Sequence, residues 1–196
     1  MPRASRSDSS TTARRSTSTR SAATKSVARK SATPTKPKLY PSKIDFSDAT
    51  RTKLVELANQ RLADTFDLYS QVKQAHWNVK GLDFQQLHEF FDAVAAAIEP
   101  FVDVIAERVT TLGCIAMGTV RMAAATSTLK EYPNDIAAGT AHLEAVRDRV
   151  AAYGAANRKA IEAAGKLEDP TTEDLFTEVS RVIDLQLYFL ESHLQG

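Results

Sequence analysis

The chain has 196 residues, 43% of them hydrophobic, enough for one globular domain with a tail. The longest apolar runs fall short of the roughly 18 residues that a membrane span needs, and the N-terminus has no apolar signal core, so no membrane span or secretory signal is expected. The net charge of +1 hides an asymmetry: residues 1–40 hold ten Lys/Arg against one acid, +9, and the remaining 156 hold 15 basic and 23 acidic side chains, −8.

Residues 1–40 read as a basic arm. Its charges are Arg3, Arg6, Arg14, Arg15, Arg20, Lys25, Arg29, Lys30, Lys36 and Lys38, with Asp8 the sole acid. Between Pro2 and Lys38 the only large aliphatic residue is Val27, and there is no aromatic. Such a segment cannot bury enough apolar surface to offset its ordering entropy, so it is predicted to be disordered. Ser/Arg-rich, acid-poor termini also resemble transit peptides, but no amphipathic stripe is visible here. A flexible arm of ten positive groups suits the phosphates of duplex DNA without sequence preference. The lack of aromatics argues against recognition of single strands by base stacking. A solubilising or oligomer-stabilising tail is the alternative.

Residues 41–196 read as helices. Leu54, Ala58, Leu62, Phe66, Tyr69, Val72 and Trp77 recur at steps of three to five, predicting a first helix over about 48–78 that Gly81 breaks. Asp83 is a candidate N-cap, with Gln86 as its capping-box partner, for a second helix over about 84–112. Pro100 should kink that helix by removing a hydrogen bond to the Ala96 carbonyl, and Gly113 should end it. Val120–Ser127 can form a short helix in the connection that follows. A third helix is expected after Asn134, with Gly165 as its stop, and a fourth from the Asp169-Pro170 cap pair to near the end. Four long helices with a long linker between the second and third give an all-α, ferritin-like four-helix bundle with a short crossover helix. The lone Cys114 cannot form an internal disulfide, fits a reducing cytoplasm, and reads as a small packing residue.

The second helix carries the chemistry. His88, Asp92, Asp103 and Glu107 follow one another at spacings of 4, 11 and 4. At about 100° per residue these steps keep all four in one sector of the helix. Imidazoles and carboxylates on one face are metal-site material. Asp92 and Asp103, however, stand roughly 16 Å apart along the axis at about 1.5 Å per residue, beyond the reach of one ion with ligand bonds of about 2 Å. Either the two pairs are unrelated, or a second copy of the chain brings its Asp103 and Glu107 to His76, His88 and Asp92. Two antiparallel second helices about a two-fold axis would form two identical sites. The usual internal di-iron centre needs Glu-x-x-His motifs, and the residues three before His76, His88, His142 and His193 are Lys73, Gln85, Gly139 and Leu190. Oxygen-rich ligands with one or two imidazoles suit Fe(II) or Mn(II) better than structural zinc.

Gln74-Ala75-His76-Trp77-Asn78-Val79-Lys80-Gly81, then Phe84, Leu87-His88-Glu89, Asp92, Asp103 and Ala106-Glu107-Arg108, together resemble the ferroxidase signature of the Dps family, the ferritin-like DNA-binding proteins from starved cells. The resemblance covers residues from about 45 to 196. It implies a hollow homododecamer built on two-fold dimers, oxidising Fe(II), preferably with hydrogen peroxide, and storing the ferric mineral. It also implies iron bound by His76, His88 and Asp92 of one subunit and by Asp103 and Glu107 of the partner, about two sites per dimer interface, with Trp77 placed to intercept an oxidising equivalent. The arm matches no family motif, so its binding to double-stranded DNA rests on charge. The expected setting is the cytoplasm and its nucleoid. Two other readings compete: a nucleoid-condensing protein whose metal site is vestigial or structural, and a four-helix redox protein with an internal centre. His142 and His193 read as core or surface residues. Glu168, Asp169, Glu173 and Asp174 suit either a solvated helix start or a cation pore.

Overall fold

A computed structural model describes residues 38–195, which are all helix and connection, with no strand among them. They belong to one unit, Lys36–Gly196. The expected arm, its disorder and all its basic residues but Lys38 lie outside the described residues. Helix α1 spans Asp48–Asn78, capped by Ser47, whose Oγ accepts from the Thr50 amide at 3.1 Å. Helix α2 spans Phe84–Ile98 and α3 spans Pro100–Thr111. Helix α4 (Val120–Thr126) lies in the crossover, followed by α5 (Gly139–Lys166) and α6 (Pro170–Ser192).

Helix α1 packs against α2, α3, α4 and α5, and α5 pairs with α6. Leu54, Leu62, Val72, Phe91, Ile98, Ile105, Tyr153, Phe176 and Ile183 fill the space between them and are fully buried. Each buried side chain of this size contributes about 1.5–3 kcal/mol by leaving water. Polar residues of α1 hold the crossover by its backbone. Asn59 brackets it through Ile115 O and Met117 N, Gln60 donates to Thr126 O, Asp64 accepts from Thr128 N, and Gln71 donates to Lys130 O. Their successive spacings of 1, 4 and 7 residues follow one stripe of the helix.

The kinked second helix is two helices that meet at Glu99. Glu99 keeps helical dihedrals (φ −50°, ψ −44°) and its amide still bonds Ala95 O at 2.9 Å. Pro100 sits at the first turn of α3, where its missing N–H is tolerated.

Three expected helix boundaries are corrected. The Asp83–Gln86 capping box does not form: Asp83 is the N-cap by position, but its side chain makes no cap bond. Helix α5 begins at Gly139, not after Asn134, because the Lys80 amide bonds Ala137 O at 2.9 Å and holds Ala138 extended (φ −66°, ψ 141°). At its other end α5 runs through Gly165. The left-handed turn falls on Glu168 (φ 58°), and the Asp169 amide closes it on Ala164 O at 3.2 Å. Gly165 instead leaves room for the Glu173 carboxylate, which would stand 3.3 Å from an added Cβ. The Asp169-Pro170 start holds: Asp169 Oδ1 accepts from the Thr171 and Thr172 amides at 3.1 Å.

Candidate metal centre

Two helices that run antiparallel, α1 and α2, bring His76 opposite His88. Their rings stack with centroids 3.8 Å apart. Each Nδ1 lies on the backbone carbonyl of the other residue, His76 Nδ1 on His88 O at 2.7 Å and His88 Nδ1 on His76 O at 2.9 Å. A carbonyl only accepts, so each Nδ1 carries the proton and donates it. In the neutral form each ring is thereby fixed in one tautomer, with the lone pair on Nε2. A hydrogen bond from Nδ1 to a backbone carbonyl holds the ring with Nε2 turned outward, as a metal-binding histidine needs. Gly81 (φ +121°) makes the turn that folds α2 back on α1.

Asp92 lies one turn beyond His88 on α2 and is exposed. Its Oδ1 accepts from Lys73 Nζ at 2.5 Å. That hydrogen bond, ahead of the Lys73 charge and the two imidazoles, holds the Asp92 carboxyl below the usual carboxylate range. The carboxylate is thus ionised at neutral pH. Trp77, 62% exposed, lies outside the core, and Lys73 Nζ stands 5.9 Å from its ring centroid. Sequence reasoning missed Lys73, which drew notice only as the non-acidic residue three before His76. Its signal was position: it lies one turn from both His76 and Trp77.

Asp103 and Glu107 are exposed on α3, and neither enters an ion pair among the described residues. Arg108 points the other way. Its guanidinium donates to Asp169 at 2.6 Å and to Thr172 Oγ1 at 2.8 Å, which pins α3 to the start of α6. Among the described residues no three His, Cys, Asp or Glu side chains gather into a cage for one ion. The chain thus brings His76 to His88, with Asp92 a turn away, and leaves Asp103 and Glu107 on a separate stretch of surface.

A ferritin-like domain model matches residues 55–196. A protein of Agrobacterium fabrum (strain C58) named DNA protection during starvation protein is 39% identical over 158 residues, 81% of this chain and 98% of its own length. The chain belongs to the Dps family. The solved structure of DpsC from Streptomyces coelicolor superposes with a TM-score of 0.76 at 29% identity, covering 81% of this chain and 92% of that one. A Haemophilus ducreyi protein named fine tangled pili major subunit is 32% identical over 148 residues, 76% of this chain and 78% of its own. One scaffold thus carries different names, and function has to be read from the site.

Outside the signature, the remaining expectations from the sequence sort by burial. His142 is buried, donor or acceptor to Tyr132 Oη at 2.7 Å, and burial lowers its pKa. His193 lies tilted against Phe90, ring centroids 4.3 Å apart. Of the four acids near the α5–α6 turn, Asp169 is buried and committed to the α6 cap and Arg108, so it lines no pore. Cys114 is buried and free. No described helix is long and apolar enough to cross a membrane.

Proposed function

We propose that this Dps-family protein oxidises Fe(II) at sites shared between two subunits and stores the ferric product, the family's general business of iron storage and DNA protection. The observation that carries this reading is the reciprocal Nδ1 lock of His76 and His88, which leaves two Nε2 lone pairs beside the ionised Asp92. Asp103 and Glu107 of the partner complete the site. The two-fold axis that brings them forms a second, identical site, so iron enters as substrate at about two sites per dimer interface. Six such dimers make the homododecamer, whose cavity takes the mineral.

Hydrogen peroxide is the preferred oxidant. It accepts two electrons, one from each of two Fe(II), and with two protons leaves as two waters, so no one-electron step releases hydroxyl radical. The protein supplies positioning and charge, and no side chain need act as a nucleophile. Trp77, adjacent to His76 and solvent-facing, is placed to take up a stray oxidising equivalent.

The basic N-terminal segment binds double-stranded DNA without sequence preference through its Lys and Arg, and many copies on one particle raise avidity far above that of a single segment. On this reading the protein acts in the cytoplasm at the nucleoid. The competing reading, DNA condensation with a vestigial or structural metal site, separates on one assay. Fe(II) is added anaerobically, then peroxide, and ferric absorbance is followed with and without Asp103→Ala plus Glu107→Ala. An undiminished rate in the double variant refutes the ferroxidase. For the DNA role, a protein lacking residues 1–38 should lose duplex retention and most of its salt dependence; equal retention refutes it.

A further inference from the structure

Tyr132 lies in the crossover between α4 and α5, and its hydroxyl meets His142 Nδ1 at 2.7 Å. His142 is 1% exposed. Its Nε2 makes no hydrogen bond of full geometry but faces the backbone of Asn78 and Ile136, where carbonyls favour a proton on Nε2. Nδ1 is then the lone-pair nitrogen, and Tyr132 is the donor. A phenol is readily oxidised only when its proton leaves with the electron, so the partner of each hydroxyl decides which tyrosine can react. The Tyr153 hydroxyl meets that of Thr65, which is no base. Among the described residues, Tyr132 is the one tyrosine hydrogen-bonded to a base. Burial pushes the pKa of the Tyr132 hydroxyl up, so the resting group keeps its proton. The Arg149 guanidinium, 5.8 Å from the ring centroid, opposes a positive charge on the ring. An electron can therefore leave Tyr132 only as its proton moves to His142.

The pair adjoins the candidate metal centre. Phe91, next to Asp92 on α2, turns its edge to His142, ring centroids 6.5 Å apart. Asn78, whose backbone faces His142, directly follows Trp77. We propose that Tyr132 and His142 form a one-electron redox pair, in which Tyr132 gives up an electron while its hydroxyl proton passes to His142 Nδ1, and that this pair completes the reduction of peroxide at a site holding a single iron. The inference rests on the ferroxidase reading above for its oxidant. One Fe(II) meeting peroxide alone yields Fe(III), hydroxide and a hydroxyl radical. The radical takes one electron from Tyr132, relayed through Trp77, and becomes a second hydroxide. A neutral phenoxyl remains beside an imidazolium. The next Fe(II) returns the electron, and the proton moves back to the phenol oxygen. The sum is two Fe(II) and one peroxide to two Fe(III) and two hydroxides, the balance of the two-iron reaction. Burial opposes the charge on His142 and so drives the return of the proton, which keeps the store reversible.

The assembled full-length protein is given less Fe(II) than it has sites, without oxygen, then peroxide, and is frozen at once for EPR. Expected in the wild type is a phenoxyl signal, narrowed when the tyrosines are ring-deuterated. Tyr132→Phe should lose most of it. His142→Gln, which keeps a hydrogen-bond acceptor but no base, should lose it as well, with thermal midpoints showing both variants folded. At high field the wild-type signal should carry the lowered g value of a phenoxyl hydrogen-bonded to a cation, a readout that needs no variant. A photogenerated ruthenium(III) complex, which takes up one electron, repeats the comparison without iron. A phenoxyl signal undiminished in Tyr132→Phe overturns the proposal, as does a wild-type g value typical of a phenoxyl without a hydrogen bond. Ferric absorbance forming with no phenoxyl in the wild type overturns it too. If peroxide gives no ferric absorbance even in the wild type, the ferroxidase reading fails, and the iron-free comparison alone then decides the Tyr132–His142 pair.

Discussion

If one ion is held by ligands from two chains, two inactive variants should rescue each other. Let one variant carry His88→Ala and the other Asp103→Ala with Glu107→Ala. Alone, each pure assembly has a defect in every site and should lose at least about tenfold in rate, the loss that removing even an outer partner of a metal ligand causes. In a mixed dimer the two sites differ. One combines the mutated histidine set with the mutated acids. The other combines intact His76, His88 and Asp92 from one chain with intact Asp103 and Glu107 from its partner. Random pairing at equal amounts makes half the dimers mixed, each with one intact site of two, so about a quarter of wild-type sites return. Co-expression with two affinity tags and ferric absorbance after peroxide measure this, with Zn(II) uptake as a second readout. The structure makes the opposite outcome equally definite. Along α2 and α3 the pairs are eleven residues and about 16 Å apart, and no single-chain cage exists among the described residues. Mixed assemblies no faster than their parents would refute sharing.

Three further outcomes follow from the fold. Glu168→Gly should stabilise by about 0.5–1 kcal/mol, read as a raised thermal midpoint, because φ 58° strains a side chain and an acid opposes the α5 C-terminal dipole. Asp169→Ala should destabilise by about 3–5 kcal/mol, since it leaves Arg108 half-buried without its partner and removes the α6 cap, while Asp169→Asn keeps the cap acceptor and should lose less. Burial of His142 lowers its folded pKa, so the unfolded chain takes the proton first; stability should be full above about pH 6.5 and decline as pH falls from there through the folded pKa, a slope that His142→Gln should flatten.

Local signals made α1, α4 and α6 legible in the sequence, periodic apolar positions in α1 and the Asp169-Pro170 cap pair at the start of α6. The failures lie where a distant group decides. The first turn of α5 is set by the Lys80 amide, from the far side of the crossover, which no local pattern around Asn134 encodes. Gly165 offered the usual helix stop, yet its lack of a side chain serves the approach of Glu173 from α6, and the left-handed residue is Glu168. The site shows the same division. The spacing of His88, Asp92, Asp103 and Glu107 is local and could be read. The Nδ1 locks use backbone carbonyls of the opposing helix, and Lys73 meets Asp92 only once α2 has folded back on α1.

The interior of the bundle explains why the proposed site lies on its surface. An internal dinuclear centre needs several carboxylates with histidines facing one another between the helices. Among the described residues the buried acids are Asp64 and Asp169, and the one fully buried histidine is His142. Asp64 is paired with Arg61 and bonded to Gln60 and Thr128. Asp169 is paired with Arg108, and His142 bonds Tyr132. Both acids are neutralised by a neighbour, and removing that neighbour would leave a buried charge uncompensated; His142 is held through Nδ1 alone. A metal entering the core would have to break these pairs while gaining at most one carboxylate from each. The Nε2 atoms of His76 and His88, and the carboxylates of Asp103 and Glu107, which enter no ion pair among the described residues, lie instead on the outside of α1, α2 and α3. On the proposed reading, sequestering an ion there from water would take a second protein surface, and the Asp103–Glu107 stretch of another copy would supply the missing ligands.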